Sequence, residues 1–570
     1  MALEVLNNYK SLIVDYSFIR KFARTPILSE FLDIVTTNHK DVYVSKSFKL
    51  LHYCVIHQAD EKTAAVTDAM RDFCSMLLPD KLLHSVQITE TREFLSKMSL
   101  VSDGCLVMAS SGIFMSRIIE KRPVFLGDIC VIDEEGSVKI YHGIDELLEC
   151  APEVHISPLA SSDKYLDLPA YCNVGDAVMT DTGDRIVLEK RVSAGAEGMV
   201  FTTNDPKVVA KIYHKGIITP LRWKKLQTQV KMGINSLGIC WPKNLLFYRN
   251  VPVGYTMIMG KGKTLGNVFD GPDALLNSFP DCSRFDIVTT LADLLEKYLY
   301  LHMFGIIAGD IQMKNALIYS SNSIYLIDMD SVQVGNLPCP VGTEEFTDPA
   351  LWGKNFNGFL RKLRDEDYSI AMLVFSILFC GLHPYATRNG AETLREEIIN
   401  KNFPYTFDGS LDEFIPKGGY DQIWKYLPED IKKMLYDTFR EGKRFEALEW
   451  YEAVLNYKEA LSSRAYQDEE AYKAFPKMDY VATDPHPVSK PRFTPPNFNK
   501  PAANSPFKPL NNDGTSGNSS ITSNPQFANR IYKNTIGDFS NVDKVNTRND
   551  DDKSGDKNDG GLLGLFKNRR

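Results

Sequence analysis

The stretch GIIAGDIQMKNALIYSSNSIYLIDMD, residues 305–330, decides the fold of the central part of this chain. An apolar run of helical character leads into it. Asp310 then falls in a loop, and Asn315 follows five positions later. Two short apolar segments separated by a serine-rich turn come next and predict a hairpin, whose second strand ends on Asp328. A loop, a hairpin and a second loop therefore bring three polar side chains to one point.

Two carboxylates and an amide in this order suit phosphoryl transfer. One carboxylate can orient the attacking group, while the amide and the second carboxylate can hold the magnesium that shields the phosphates. An Asp–Asn pair in a loop is by itself also a common turn former. The phosphoryl-transfer interpretation therefore depends on further motifs, which occur before and after Asp310 in the sequence.

The D-x-x-x-x-N spacing of Asp310 and Asn315 resembles the catalytic loop of protein kinases, and Asp328-Met329-Asp330 resembles their metal-binding D-F-G. The resemblance implies that Asp310 is catalytic and that Asn315 and Asp328 bind the metal. It also implies ATP and Mg²⁺ as cofactors.

A glycine-rich segment upstream, Ser193-Ala-Gly195-Ala-Glu-Gly198-Met-Val200, resembles the kinase loop G-x-G-x-x-G-x-V, with Ser193 in place of the first glycine. Glycines allow a backbone to lie close to phosphates. The resemblance implies that Ser193, Gly195, Gly198 and Val200 bind the nucleotide.

Lys211 follows on an apolar strand, residues 208–213, that resembles the kinase V-A-I-K strand. The resemblance implies that Lys211 is catalytic and contacts the phosphates, and that Met259 lies along the adenine. A buried lysine is costly unless it is paired. Protein kinases pair it with a glutamate of the next helix, but no acidic residue occurs between Asp205 and Asp270. The partner of Lys211 must be absent or come from elsewhere.

The catalytic loop departs from the usual kinase pattern, since Ala308 and Gly309 replace His-Arg and Gln312 replaces a lysine. This form is similar to the atypical bacterial kinases associated with helix-hairpin-helix domains and with tellurium-resistance gene clusters. That resemblance implies a serine/threonine kinase that acts on partner proteins and on itself. Family context adds a phosphatase and a von Willebrand-type domain protein as partners. The departures keep a second hypothesis open, a nucleotide-binding pseudokinase that regulates a partner.

Residues 1–150 alternate strand-like and helix-like segments, which predicts an α/β layer with a mostly parallel sheet. Its first strand ends on Asp15, as in PIN-type nuclease domains, which this region resembles. The strand at residues 105–109 is followed by Ser110-Ser111-Gly112 without a carboxylate, which favours binding without cleavage. A kinase-regulated PIN-like nuclease remains the third hypothesis. Nucleic acid could bind only through this domain, because the net charge of −8 argues against binding by the whole chain.

Composition predicts a cytoplasmic protein. The ten cysteines are scattered without a C-x-x-C pair, which is typical of reduced thiols, and the first residues lack a secretion signal. The longest apolar run, residues 370–382, is too short to span a bilayer and predicts a buried helix, so we expect no transmembrane segment.

The expected fold class is an α+β bilobal protein kinase-like domain, preceded by an α/β domain and followed by a disordered tail. The predicted boundaries are 1–150 for the α/β domain, 151–174 for a linker, 175–462 for the kinase-like domain (small lobe about 175–260, large lobe about 261–462), 463–479 for a connecting segment and 480–570 for the tail. The tail ends in the apolar and basic sequence GLLGLFKNRR, which favours a docking peptide over a weak membrane contact or a solvated end.

Overall fold

The computed structural model describes residues 3–58, 63–101, 104–110, 112–133, 136–150, 154–161, 172–391 and 393–474. The predicted tail, with its apolar and basic end, lies outside these residues.

The N-terminal part is a layered α/β structure. Its elements are β1 (Ser11–Val14), α1 (Tyr16–Phe22), α2 (Pro26–Thr37), β2 (Asp41–Ser45), α3 (Lys46–Gln58), α4 (Thr63–Leu77), β3 (Leu83–Val86), α5 (Thr91–Val101), β4 (Cys105–Met108), α6 (Ile113–Lys121), β5 (Asp128–Ile132), β6 (Val138–Tyr141) and α7 (Ile144–Cys150). Among the described residues these strands form one sheet in the order β3-β2-β1-β4-β5-β6, antiparallel only between β5 and β6. Every residue of β1 and β4 is buried, as expected where helices cover both faces of a parallel sheet.

The middle part is a closed antiparallel barrel with one helix. Its elements are β7 (Ala177–Thr180), β8 (Arg185–Ala194), β9 (Gly198–Thr203), β10 (Val208–Tyr213), α8 (Pro220–Met232), β11 (Asn244–Tyr248) and β12 (Val251–Ile258), and the barrel order is β10-β12-β11-β7-β8-β9. Helix α8 has sharp ends. The Thr219 side chain accepts a hydrogen bond from the backbone N–H of Arg222, Pro220 occupies the first turn, and Gly233 closes the helix at φ +60°.

The last part is mostly helical. Its elements are β13 (Lys263–Thr264), α9 (Leu265–Val268), α10 (Pro272–Ser278), α11 (Arg284–Met303), β14 (Ala316–Ser320), β15 (Ser323–Leu326), α12 (Asp367–Leu378), α13 (Leu394–Ile399), α14 (Tyr420–Tyr426), α15 (Glu429–Tyr436), α16 (Ala447–Ser462) and α17 (Glu470–Lys473). The predicted hairpin is β14–β15, with Ala316 opposite Leu326. All of α12 is buried, as its apolar run predicted.

The N-terminal layer packs directly on the helical part. One cluster of buried apolar side chains contains Phe48 and Cys54 of α3 together with Leu295 of α11 and Tyr451 of α16. Burial of this shared apolar surface stabilises the contact between the two parts.

Part of the predicted linker also has defined contacts. Residues Pro158–Ser161 form a 3-10 turn, and the backbone N–H of Ser157 donates to the carbonyl oxygen of Asn336 at 3.1 Å. Among the helices in the described ranges, none combines the length and the apolar character needed to cross a membrane.

Candidate functional site

The Asp310 carboxylate is held by its neighbours in the loop between α11 and β14. Oδ1 accepts a hydrogen bond from Thr343 Oγ1 at 2.8 Å, and Oδ2 accepts from Gln312 Nε2 at 2.8 Å and from Asn315 Nδ2 at 2.9 Å. Asn315 Nδ2 also donates to the backbone carbonyl oxygen of Asp310 at 2.8 Å. These three hydrogen bonds fix the direction of the carboxylate. Asp310 remains half-buried, so another group can still reach it.

The backbone before Asp310 explains the glycine at position 309. Gly309 has φ +74°, and a Cβ there would lie 2.1 Å from Arg361 Nη1 and 2.5 Å from Cys339 Sγ. Its N–H donates to Glu366 Oε1 at 2.5 Å, and its carbonyl oxygen accepts from Arg361 Nη1 at 2.6 Å. The position at which the usual kinase loop carries arginine therefore admits no side chain here.

Lys211 is paired, and its partner is a residue that sequence reasoning missed. Its Nζ donates to Asp330 Oδ1 at 2.8 Å and to Asp328 Oδ1 at 3.1 Å. Asp330 is buried and also accepts hydrogen bonds from the hydroxyls of Tyr213 and Tyr255. Burial alone would lower the pKa of Lys211, but the carboxylates of Asp330 and Asp328 raise it. Burial would raise the pKa of Asp330, but Lys211 lowers it well below the usual range.

Helix α8 reaches the same cluster with an arginine in place of the usual glutamate. Arg222 Nη2 donates to Glu197 Oε1 of the glycine-rich turn at 2.5 Å, and Glu197 Oε2 lies 4.0 Å from Lys211 Nζ. Gln229, buried on the same helix, donates from Nε2 to the carbonyl oxygen of Met329 at 2.6 Å. The helix is thus attached to the glycine-rich turn and to the segment around Asp328.

The glycine-rich turn joins β8 and β9. Ser193 is opposite Val200 in that pairing, and the N–H of Gly195 donates to the carbonyl oxygen of Gly198 at 2.9 Å. A Cβ on Gly198 would lie 2.4 Å from the carbonyl oxygen of Ile212, so the close approach of β9 and β10 requires glycine there. Ser193 and Gly195 are exposed and accessible to a ligand.

Apolar side chains lie beside the charged cluster of Lys211, Asp328 and Asp330. Val200, Met259 and Ile327 are half-buried and pack on one apolar cluster, which also contains Val209 and Met257. Val200 is opposite Lys211 in the β9–β10 pairing, and Ile327 immediately precedes Asp328. A flat apolar group could pack here beside the charged cluster.

Asn315 and Asp328 are candidates to bind a metal ion. The backbone N–H of Ile327 donates to the carbonyl oxygen of Asn315 at 2.9 Å, which holds the two segments together. Asn315 uses its Nδ2 on Asp310, which leaves the amide oxygen for another partner, and the Asp328 side chain is 54% exposed. Oxygen ligands of this kind fit Mg²⁺. No group of three or more His, Cys, Asp or Glu residues suited to a metal occurs among the described residues.

Asp15 lies at the end of β1 but is only 5% exposed. It accepts hydrogen bonds from the N–H and hydroxyl of Ser17 and so begins α1. This edge of the sheet faces the helical part of the molecule. Arg20 Nη2 donates to the carbonyl oxygen of Met303 at 2.6 Å, and a Cβ on Gly112 would lie 3.2 Å from the same oxygen. Asp15 therefore has a capping role inside a contact surface.

Curated relatives of the chain include proteins named Protein kinase YegI. The identity is 27% over 282 residues for the protein of Escherichia coli K12, covering 46% of this chain and 43% of the relative. For Escherichia coli O157:H7 it is 26% over 280 residues, with the same shares of 46% and 43%. The chain thus matches less than half the length of each relative, and no known protein-family model matches it. Over the matched region the chain is thus distantly similar to bacterial proteins named as protein kinases.

Proposed function

We propose that residues 175–462 form a bilobal kinase domain that uses ATP and Mg²⁺ to phosphorylate serine or threonine on proteins, including itself. The barrel with α8 would be the small lobe and the helical part the large lobe. The observation that carries the proposal is the meeting of Lys211, Asp328 and Asp330 beneath the glycine-rich turn, where a nucleotide phosphate would need cations and a metal ligand.

The nucleotide would be bound from three sides. Ser193, Gly195 and Gly198 would lie over the phosphates, because a glycine-rich turn with Ser193 and Gly195 exposed allows close backbone approach. Val200 and Met259 would contact the adenine through their apolar surface. Lys211 would contact the phosphates while Asp330 keeps its ammonium in place.

Asp310 would orient the attacking hydroxyl. Its carboxylate can accept the hydroxyl proton, and the hydrogen bonds from Thr343, Gln312 and Asn315 hold it in position for the incoming group. Asn315 and Asp328 would hold Mg²⁺, which neutralises charge on the phosphates when it is bound. Orientation and charge stabilisation supply most of the acceleration in such transfers.

The test is transfer of label from γ-labelled ATP with magnesium, using the full chain. We expect label on the wild type, and its loss in both Asp310→Asn and Asp328→Ala. Asp273→Ala, which removes an exposed aspartate of α10, is the matched control and should label as the wild type does. Equal labelling of Asp328→Ala and the wild type would reject the site assignment.

A nucleotide-binding pseudokinase is the second candidate, because Asp328 already has a structural partner in Lys211 at 3.1 Å. Magnesium-dependent nucleotide binding without any transfer of label would favour it. Asp15 is buried as a helix cap, which argues against a role for it in the cleavage of nucleic acid.

A further inference from the structure

Helix α6 of the N-terminal part inserts a buried arginine into the helical part. Arg117 is 1% exposed and grips Asp367 with two parallel hydrogen bonds, from Nη1 to Oδ2 at 2.8 Å and from Nη2 to Oδ1 at 2.5 Å. Its Nε lies 3.8 Å from Glu446 Oε2. Planar bidentate pairing of this kind is specific in geometry as well as in charge.

The same helix makes a second contact one turn later. Glu120 accepts hydrogen bonds from the backbone N–H of Leu363 at 2.8 Å, on Oε1, and from that of Arg364 at 3.1 Å, on Oε2. These residues begin the 3-10 turn Leu363–Asp365, whose first two N–H groups would otherwise lack partners. Arg117 and Glu120 therefore hold the chain on both sides of Glu366.

Glu366 lies directly on the catalytic loop. Its Oε1 accepts from the N–H of Gly309 at 2.5 Å, and its Oε2 lies 2.7 Å from His302 Nε2. Arg361, at the start of the same segment, donates to the carbonyl oxygen of Gly309 at 2.6 Å and to that of Val341 at 2.6 Å. The N–H and the carbonyl oxygen of Gly309, the residue before Asp310, are thus both fixed by residues 361–367, the segment that Arg117 and Glu120 of α6 contact.

We propose that Arg117 and Glu120 are positioning residues for the catalytic loop. Through them the N-terminal domain would hold Asp310 in place for phosphate transfer. The chain of contacts runs from α6 to residues 361–367, from there to Gly309, and from Gly309 to Asp310. The inference rests on the proposed function for its kinetic consequence. The structural consequence of the inference, an ordered catalytic loop, does not depend on the proposed function.

The main test compares two variants of the full chain that both alter the interface. Arg117→Lys keeps the charge but loses the paired contact with Asp367. Lys46→Ala, the control, removes an ion pair with Glu452 of α16, and among the described residues no hydrogen bond or ion pair joins Lys46 or Glu452 to residues 361–367. We expect kcat to fall about tenfold in Arg117→Lys with KM for ATP unchanged, because displacement of a reacting group from its position is costly in rate. Lys46→Ala should keep the wild-type kcat.

Hydrogen exchange of the peptide spanning residues 305–315 is the second readout and needs no activity. Exchange should become faster in Arg117→Lys and stay as in the wild type in Lys46→Ala. Wild-type kcat and wild-type exchange in Arg117→Lys, even with a lower Tm, would overturn the proposal. A wild type that transfers no phosphate would reject the proposed function, while the exchange comparison would still decide this inference.

Glu120→Ala is the alternative variant for the exchange test if Arg117→Lys does not fold, because Glu120→Ala leaves the Arg117–Asp367 pair in place. It removes the acceptor for the N–H groups of Leu363 and Arg364. Faster exchange over residues 305–315 is the expected result, and unchanged exchange would reject the positioning role.

Discussion

Lys211 Nζ lies 2.8 Å from Asp330 Oδ1, so the carboxylate that pairs with this lysine comes from the segment after β15 and not from helix α8. Asp330 follows Asp328 by two positions, and both contact the same ammonium group. Lys211, which we propose contacts the phosphates, and Asp328, the proposed metal ligand, are therefore parts of one charged cluster.

Asp330→Asn should weaken catalysis and stability together. The buried ammonium of Lys211 would lose its nearest charge partner, which is expected to cost about 3 kcal/mol of folding free energy. We also expect a loss of about tenfold or more in kcat/KM for ATP, equivalent to roughly 1.4 kcal/mol. Glu197→Gln is the control, since Glu197 lies 4.0 Å from Lys211, and its effect should be smaller. Equal effects of the two substitutions would contradict the special role of Asp330.

Gly309→Ala should destabilise the protein more than the same change at Gly353. Both glycines have φ +74°, so alanine at either position carries a left-handed backbone cost of about 1–2 kcal/mol. Only at Gly309 would the new Cβ collide with Arg361 Nη1, at 2.1 Å, whereas nothing lies within 4 Å at Gly353. Chemical denaturation of the two variants measures the difference. Matching free energies of unfolding would show that Arg361 and Cys339 both move away at no cost.

Thr343→Val should lower both kcat and the free energy of unfolding. The substitution removes the hydroxyl that donates to Asp310 Oδ1 at 2.8 Å, and one hydrogen bond to a charged group is worth about 1.5–3 kcal/mol. A decrease in kcat of about tenfold corresponds to the lower end of that range. Thr387→Val deletes a similar hydroxyl, bonded to Glu397, and should leave kcat unchanged. A normal kcat in Thr343→Val would mean that Gln312 and Asn315 suffice to hold Asp310.

Glu449 should make stability depend on pH between about 5 and 8. Burial, with Glu446 nearby, raises the pKa of Glu449 from 4.5 to about 8. The folded state therefore favours protonated Glu449. The stabilisation that this preference gives is complete below the pKa of Glu449 in the unfolded chain and is lost as pH rises through about 8. Wild-type free energy of unfolding should fall relative to that of Glu449→Gln across this range. In the control Glu441→Gln, at an exposed position, the free energy of unfolding should depend on pH as it does in the wild type.

Much of the local structure could be predicted from the sequence because it depends on periodicity and turn chemistry. The β14–β15 hairpin, the buried helix α12 and the mostly parallel N-terminal sheet all follow from patterns that are short in sequence. The Asp310–Asn315 contact is equally local, since five positions separate the two residues. The catalytic and metal-binding roles of these residues stay predictions.

The partner of Lys211 was harder to predict because it lies 119 positions away in the chain. The available signal was a second aspartate, Asp330, directly after the apolar strand that ends on Asp328. No local pattern says which of several carboxylates will pair with a buried lysine. That choice depends on which side chains the barrel and the hairpin enclose together, and on the cost of leaving any of them unpaired.

The sequence by itself determined the order of the elements, the candidate residues at Lys211, Asp310, Asn315 and Asp328, and the absence of an acidic residue from helix α8. Only the tertiary structure decided that Asp330 pairs with Lys211 in place of a glutamate from α8. It also decided that Arg117 of α6 holds residues 361–367, the segment that contacts Gly309. The physical reason is the same for both. Periodicity and turn residues act within a few positions, whereas buried charges must find partners anywhere in the folded interior, because water no longer solvates them.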